Sequence, residues 1–178
     1  MTKKRQVSLE AIKALRQKTS ASVSDVRAAL ESSGGDEAKA LELLRQRGAQ
    51  LAQMRQGRAT GQGRVECYVH HDGRLGALVE VNCETDFVAR TSEFQQFCKD
   101  VAMQVAAMNP RYVRREDLPS DMATDDQTLK ALCLLEQPFV KDQGTTVNEL
   151  LRALIAKTGE NVVIRRFAKF AIGEPINS

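Results

Sequence analysis

Two hydrophobic periods meet within one short stretch of this chain, and together they restrict what it can fold into. From Leu75 to Asn82 the pattern alternates, with Leu75, Ala77, Val79 and Val81 on one face and Glu80 and Asn82 on the other. A period of two marks a strand with one buried face. Further on, Phe94, Phe97, Cys98, Val101, Ala102 and Val105 share one helical stripe. Ser92, with Gln95 three positions later, gives that helix a capping-box start. A one-sided strand and a one-sided helix must each cover a face, which predicts an α+β protein with helices packed on an antiparallel sheet. The strand gives way to the helix at Asn82-Cys83-Glu84-Thr85-Asp86-Phe87-Val88-Ala89-Arg90. Asp86 can accept backbone amides there, and Phe87 beside it can point in or out. Taken by itself, this turn reads as structural, with Asp86 a cap and Phe87 buried.

The remaining elements follow from the same signals. Val65 to His71 and Arg74 to Asn82 flank Asp72-Gly73, a strong hairpin signal. Asn109-Pro110 stops the helix that begins near Ser92. Residues 110–128 are charged and read as loop with one helical turn, and Leu129 to Leu135 form an apolar segment. Thr146 and Glu149 make a second capping box, ahead of a stripe of Val147, Leu150, Leu151, Leu154 and Ile155 that Gly159 closes. Asn161 to Ile172 then reads as a strand. Strict alternation puts Val162, Ile164, Ala168 and Phe170 on one face and Arg165, Phe167 and Lys169 on the other.

Before the hairpin, residues 1–48 read as a domain of three short helices. Ser8 caps the first, carrying Leu9, Ile12 and Leu15. Ser22, with Asp25 in the first turn, starts the second, carrying Val23, Val26, Ala29 and Leu30. Gly34-Gly35 breaks the chain, and Asp36 caps a third helix that carries Ala40, Leu41 and Leu44 and ends before Gly48. Residues 49–64, rich in Gln, Gly and Arg, read as a helical tail and then a linker. Residues 65–178 form the α+β core.

Composition removes several function classes. The chain has 178 residues, 42% hydrophobic and 28% charged, with no apolar run long enough to span a membrane. No apolar segment follows the basic start Met1 to Gln6, so the expectation is a cytosolic protein. A net charge of +3, dispersed among acids, does not by itself suggest a nucleic-acid partner. Cys67, Cys83, Cys98 and Cys133 lack any C-x-x-C pairing and read as reduced, small apolar residues. His70 and His71 are adjacent on a strand and point to opposite faces, while Cys67 and His71 lie ~13 Å apart, so no metal site is expected. There is no P-loop and no Gly-x-Ser-x-Gly, and Cys83 beside Glu84 is a poor nucleophile. No enzyme and no cofactor are expected.

The segment Asn82 to Arg90 resembles the signature of the elongation factor Ts family. Gln137-Pro138-Phe139-Val140 and the stretch from Gly159-Glu160-Asn161 to Arg165-Arg166-Phe167 resemble the same family, and the similarity spans nearly the whole chain. The resemblance implies a ubiquitin-associated-like opening module and an exchange core that acts on elongation factor Tu. Thr85, Asp86, Phe87 and Val88 would push between helices of the partner's G domain. Phe87 would enter an apolar pocket and Asp86 would make polar contacts beside it, disturbing the Mg²⁺ and phosphate site so that GDP leaves. A weaker contact would come from Arg16, Val23 and Ser24 in the first domain. There the family's two glycines are replaced by Ser20 and Ser22, and its methionine pair by Val23 and Ser24. Many members duplicate the core subdomain. The single copy here implies a homodimer, joined through the C-terminal strand. Two rival classes remain open at this point: a ubiquitin-associated-type peptide-binding adaptor using residues 1–48, and an RNA-binding protein using Arg55, Arg58 and Arg64.

Overall fold

Side-chain caps define the first helices. Ser8 accepts the Ala11 amide at the start of α1 (Leu9–Thr19). Ser22 accepts from Asp25 ahead of α2 (Val23–Ser32), and Asp36 accepts from Lys39 ahead of α3 (Glu37–Arg55). The backbone bond from Lys39 is the main influence holding the Asp36 carboxyl below its ordinary value. Ile12, Leu15, Val26, Ala29, Leu30 and Ala40 form the buried cluster these helices share. Leu9, expected in that core, is 68% exposed. It lies at the first position of α1, before the helix has turned its stripe inward. This computed structural model describes residues 7–19, 21–120, 122 and 125–174. The basic start at 1–6, Ser20, and part of the acidic stretch Asp121 to Asp126 fall outside the described residues.

α3 does not end at Gly48. It runs on to Arg55, and Gly48 is buried within it, its Cα facing the Arg152 carbonyl. A Cβ at Gly48 would sit 3.9 Å from that oxygen, an ordinary contact distance. A helical glycine costs about 0.5–1 kcal/mol relative to alanine. Gly48→Ala is therefore expected to stabilise the protein by about that amount, read as a higher denaturation midpoint with an unchanged slope.

The chain divides into two compact units, one of residues up to Arg58 with Arg152–Asn161, the other of Ala59–Leu151 with the residues from Val162 onward. In the second, β1 (Gln62–Val69), β2 (Leu75–Cys83) and β5 (Val162–Ala171) form an antiparallel sheet in the order β1-β2-β5. The turn at Asp72-Gly73 is longer than a two-residue hairpin loop. His70 donates its amide to Leu75, and Gly73 takes a φ of +69°. One sheet face carries Ala77, Val79, Val81 and Cys83 against α5 (Ser92–Met108), whose Phe94, Phe97, Cys98, Val101, Ala102 and Val105 are all buried.

Strict alternation fails in β5. Glu80 pairs with Arg166 and Val81 with Ile164, so Arg165 is an extra residue, a β-bulge. A bulge shifts the facing of every residue beyond it by one. Phe167 pairs with core-facing Val79 and is half-buried, whereas Ala168 and Phe170 turn outward. The expectation that Ala168 and Phe170 share a face with Val162 and Ile164 is corrected accordingly.

After α5, Asn109 adopts a left-handed φ of 49° and ends the helix ahead of Pro110. Residues 110–128 hold more structure than expected. A 3-10 turn spans Arg115–Asp117, and α6 (Asp126–Leu132) is capped by Asp125, which accepts the Thr128 amide. β3 (Pro138–Phe139) and β4 (Asp142–Thr146) make a small hairpin that leads into α7 (Val147–Thr158). The Thr146–Glu149 capping box forms with both reciprocal bonds, at 2.8 and 3.2 Å. Gln104 and Gln137 are fully buried. Gln104 donates to the Gln137 side chain and to the Pro138 carbonyl, accepts the Val140 amide at 2.8 Å, and so ties the hairpin to α5. Among the described residues no helix is long and apolar enough to cross a membrane, and no three metal-ligating side chains are grouped.

Candidate partner-binding site

Thr85, Asp86, Phe87 and Val88 come together on a single helical turn, α4 (Asp86–Ala89), between the buried end of β2 and the buried start of α5. Thr85 is the cap, with extended backbone (φ −126°, ψ 156°) and a hydroxyl that accepts the Val88 amide. Asp86, expected to take that role, instead pairs with Arg90 one turn later at 2.9 Å. The pair leaves the carboxylate half-exposed beside Phe87. Phe87 is 79% exposed, more than any other large apolar side chain among the described residues. The structural expectation, a buried Phe87, is therefore replaced by an outward-pointing one. Val88 and Thr85 are half-buried at the base of the turn.

The base is rigid for reasons that lie on either side. Cys83 is fully buried and its thiol donates to the Thr85 carbonyl at 3.1 Å. Thr91, not Ser92, caps α5: its hydroxyl accepts the Phe94 amide and donates to the Val88 carbonyl at 2.8 Å. Gln95, expected in a box with Ser92, reaches back to the Arg90 carbonyl. Adjacent hydroxyls at 91 and 92 made the cap ambiguous in sequence, because both stand three residues before a helical amide. Phe94, the first buried residue of α5, anchors that end of the turn. On the edge strand, Gly63 pairs with Asn82 at a φ of +152°, where a Cβ would overlap the Val81 carbonyl oxygen. Only glycine lets β1 lie this close to the approach to the turn.

The second predicted group lies in the three-helix unit. Arg16 is on α1 and directs its Nε to the Ala21 carbonyl at 3.4 Å, so its guanidinium is held at the α1–α2 corner. Val23 opens α2 and is 46% exposed. Ser24 shares a hydroxyl–hydroxyl bond with Ser22 at 2.8 Å, and Ser22 also donates to Asp25. Arg16, Val23 and Ser24 are all exposed.

None of the four cysteines forms a disulfide. Burial pushes Cys98 up to about 12, with Glu66 adding to the effect, and Cys133 is raised by burial too. Cys67 alone is exposed. A thiol reagent at pH 8 is expected to modify one cysteine of the native chain, Cys67, at low protein concentration. The other three should react only on unfolding. Rapid native-state labelling of a second thiol would contradict this burial.

A family model described as Elongation factor TS matches residues 2–129. The elongation factor Ts of Carboxydothermus hydrogenoformans is 43% identical over 195 residues, covering 94% of this chain and 90% of the relative. That of Thermotoga neapolitana is 43% identical over 194 residues, covering 95% and 98%. That of Rippkaea orientalis is 42% identical over 199 residues, covering 96% and 80%. The capped turn with its outward aromatic therefore sits in a chain aligned almost end to end with these factors, and the chain belongs to the elongation factor Ts family of translation elongation factors.

Proposed function

We propose that this protein is the guanine nucleotide exchange factor of elongation factor Tu, acting by insertion of Phe87. The observation that carries the reading is a 79% exposed phenylalanine on a capped turn, held between two fully buried residues, Cys83 and Phe94. A large apolar side chain kept out of its own core has its favourable burial still available for a partner. Phe87 enters an apolar pocket between helices of the partner's G domain, with Thr85 and Val88 packing at its base and Asp86 making polar contacts. The displacement disturbs the Mg²⁺ and phosphate site and GDP leaves. Residues 1–48 act as a docking domain through Arg16, Val23 and Ser24, residues 49–64 connect it, and residues 65–178 are the exchange core. The factor is cytoplasmic, takes no cofactor or metal of its own, and contacts no nucleic acid directly. It performs no reaction on a substrate. Because coupling between two ligands is reciprocal, GDP weakens the factor's binding as much as the factor weakens GDP binding, and exchange is accelerated in both directions.

The direct test is release of fluorescent GDP from the cognate elongation factor Tu, with and without the protein. Acceleration at substoichiometric factor supports the reading. No acceleration by folded protein removes it, and binding of peptides by residues 1–48 or of RNA at low salt would then be measured instead.

A homodimer is the second part of the reading. Beyond the bulge the sheet's outer face carries Val65, Val69, Leu78 and Phe170, all exposed, with Ile172 just past β5. Gly76 lies between Val69 and Phe170 and leaves a shallow apolar depression. On this face Glu80 pairs with Arg166 at 2.6 Å within the chain. A twisted, mostly apolar face whose Glu80 is paired within the chain suits a second copy of itself packed sheet on sheet. Sedimentation is expected to show a dimer at micromolar concentration, and Leu78→Glu a monomer. Cys67 on the same face should become slower to label as concentration rises. Labelling independent of concentration would argue against this face.

A further inference from the structure

The turn that presents Phe87 has no core of its own. None of residues 86–89 is buried. An isolated helical turn is unfavourable, because nucleation fixes several dihedrals for one hydrogen bond. Its internal supports are modest. The Thr85 hydroxyl reaches the Val88 amide at 3.4 Å, and the Asp86–Arg90 pair is solvent-exposed, where such pairs contribute little.

The stiffness comes from outside, and on the N-terminal side the Cys83 thiol contributes to it. Cys83 closes β2 and is paired with Gln62 on one side and Val162 on the other. Its main chain is therefore held by both neighbouring strands, and its side chain is fully buried. From there the thiol donates to the Thr85 carbonyl at 3.1 Å. That carbonyl is also the acceptor for the Ala89 amide at 3.3 Å, the bond that closes the turn. A carbonyl that accepts the first intrahelical bond points along the helix axis. Whatever fixes its direction fixes the direction of α4, and with it the direction of Phe87.

We propose that Cys83 is a positioning residue for nucleotide exchange: its S–H bond to the Thr85 carbonyl aims the single turn that carries Phe87. The inference rests on the reading of Phe87 as the inserted side chain. It differs from a filling role for Cys83, since a filler would depend on volume and not on a donor.

The experiment measures GDP release against factor concentration for the full-length protein, for Cys83→Ala and Cys83→Ser, and for each of these combined with Phe87→Ala. Cys83→Ala is expected to lower the maximal release rate about two- to tenfold, the range a single hydrogen bond carries, with half-saturation within about twofold of wild type. Cys83→Ser, which keeps a donor, should recover most of that loss. In the Phe87→Ala background Cys83→Ala should cost nothing further, because the two residues act in series. Circular dichroism melts check that each variant is folded at the assay temperature, and Cys83→Val replaces the alanine variant if it is not. A full maximal rate for Cys83→Ala overturns the proposal. So does an equal loss for serine and alanine, and so does a loss that persists unchanged without Phe87. If wild type itself fails to accelerate release, the exchange reading fails first, which is a separate and visible outcome.

Discussion

Phe87→Ala is expected to slow factor-stimulated GDP release by about one to two orders of magnitude while leaving the protein as stable as wild type. The size follows from what one phenylalanine can contribute. Burying such a side chain is worth ~1.5–3 kcal/mol, and each ~1.4 kcal/mol of barrier is a factor of ten in rate. Stability should hardly move, because the side chain is 79% exposed in the free protein and surface substitutions away from caps and cores stay within about ±0.5 kcal/mol. The measurement is the maximal release rate of fluorescent GDP alongside a denaturant titration. A loss confined to half-saturation, with the maximal rate intact, would mean that Phe87 only helps the factor dock. Acceleration beyond two orders of magnitude in wild type has to come from other contacts, and Arg16, Val23 and Ser24 are the first to test. Thr85→Ala should give a smaller loss of the same kind, since it removes the cap hydroxyl but keeps the aromatic.

The strand-to-helix junction around residue 87 was legible in the sequence, but the geometry of the turn within it was not. The change of hydrophobic period placed the strand end and the helix start correctly, and those two elements are what hold α4. The periodicity could not say which way Phe87 points, because a four-residue turn is too short to carry a pattern. Nor could it choose between the hydroxyls of Thr91 and Ser92, or foresee that Asp86 would turn to Arg90 and leave capping to Thr85. The β5 error has a different cause. Alternation carried straight through Arg165 and Arg166 misses the bulge, which leaves no local signal when the inserted residue is as polar as its neighbour. One extra residue moved Phe170 and Ala168 from the core face to the outer face. That shift adds Phe170 to the apolar patch proposed for the second copy. Cys83 is buried and without a disulfide, as a small apolar residue should be, but its thiol is also a donor, and Gln104 is a polar residue on the buried side of α5 that the hydrophobic pattern does not mark. Gln104 owes its role to hydrogen bonds with groups more than thirty residues away, and Cys83 to one with a carbonyl two residues on.

Gln104 has the largest expected effect on stability. Gln104→Met keeps the length and flexibility of the side chain and removes its amide. The Val140 amide loses its acceptor, and the Gln137 side-chain oxygen and Pro138 carbonyl lose their donor. Gln104 and Gln137 are both fully buried, so water cannot readily replace the missing partner. Each orphaned buried group costs about 1–3 kcal/mol, and a total near 3–5 kcal/mol is expected once local relaxation is allowed. Against a typical stability of about 5–15 kcal/mol this is a large fraction, and the melting temperature should fall by many degrees. Replacing Gln137 by Met as well removes one of the stranded groups, so the double variant should lose less than the sum of the two single losses. Strict additivity would show that the two amides do not act as a unit. The same variants also separate stability from function. The Gln104 network holds the β3–β4 hairpin to α5, whereas α4 is held by Cys83, Thr91 and Phe94. At a temperature where Gln104→Met is still folded, its release rate per folded molecule should match wild type, while Phe87→Ala at the same temperature is fully folded and slow.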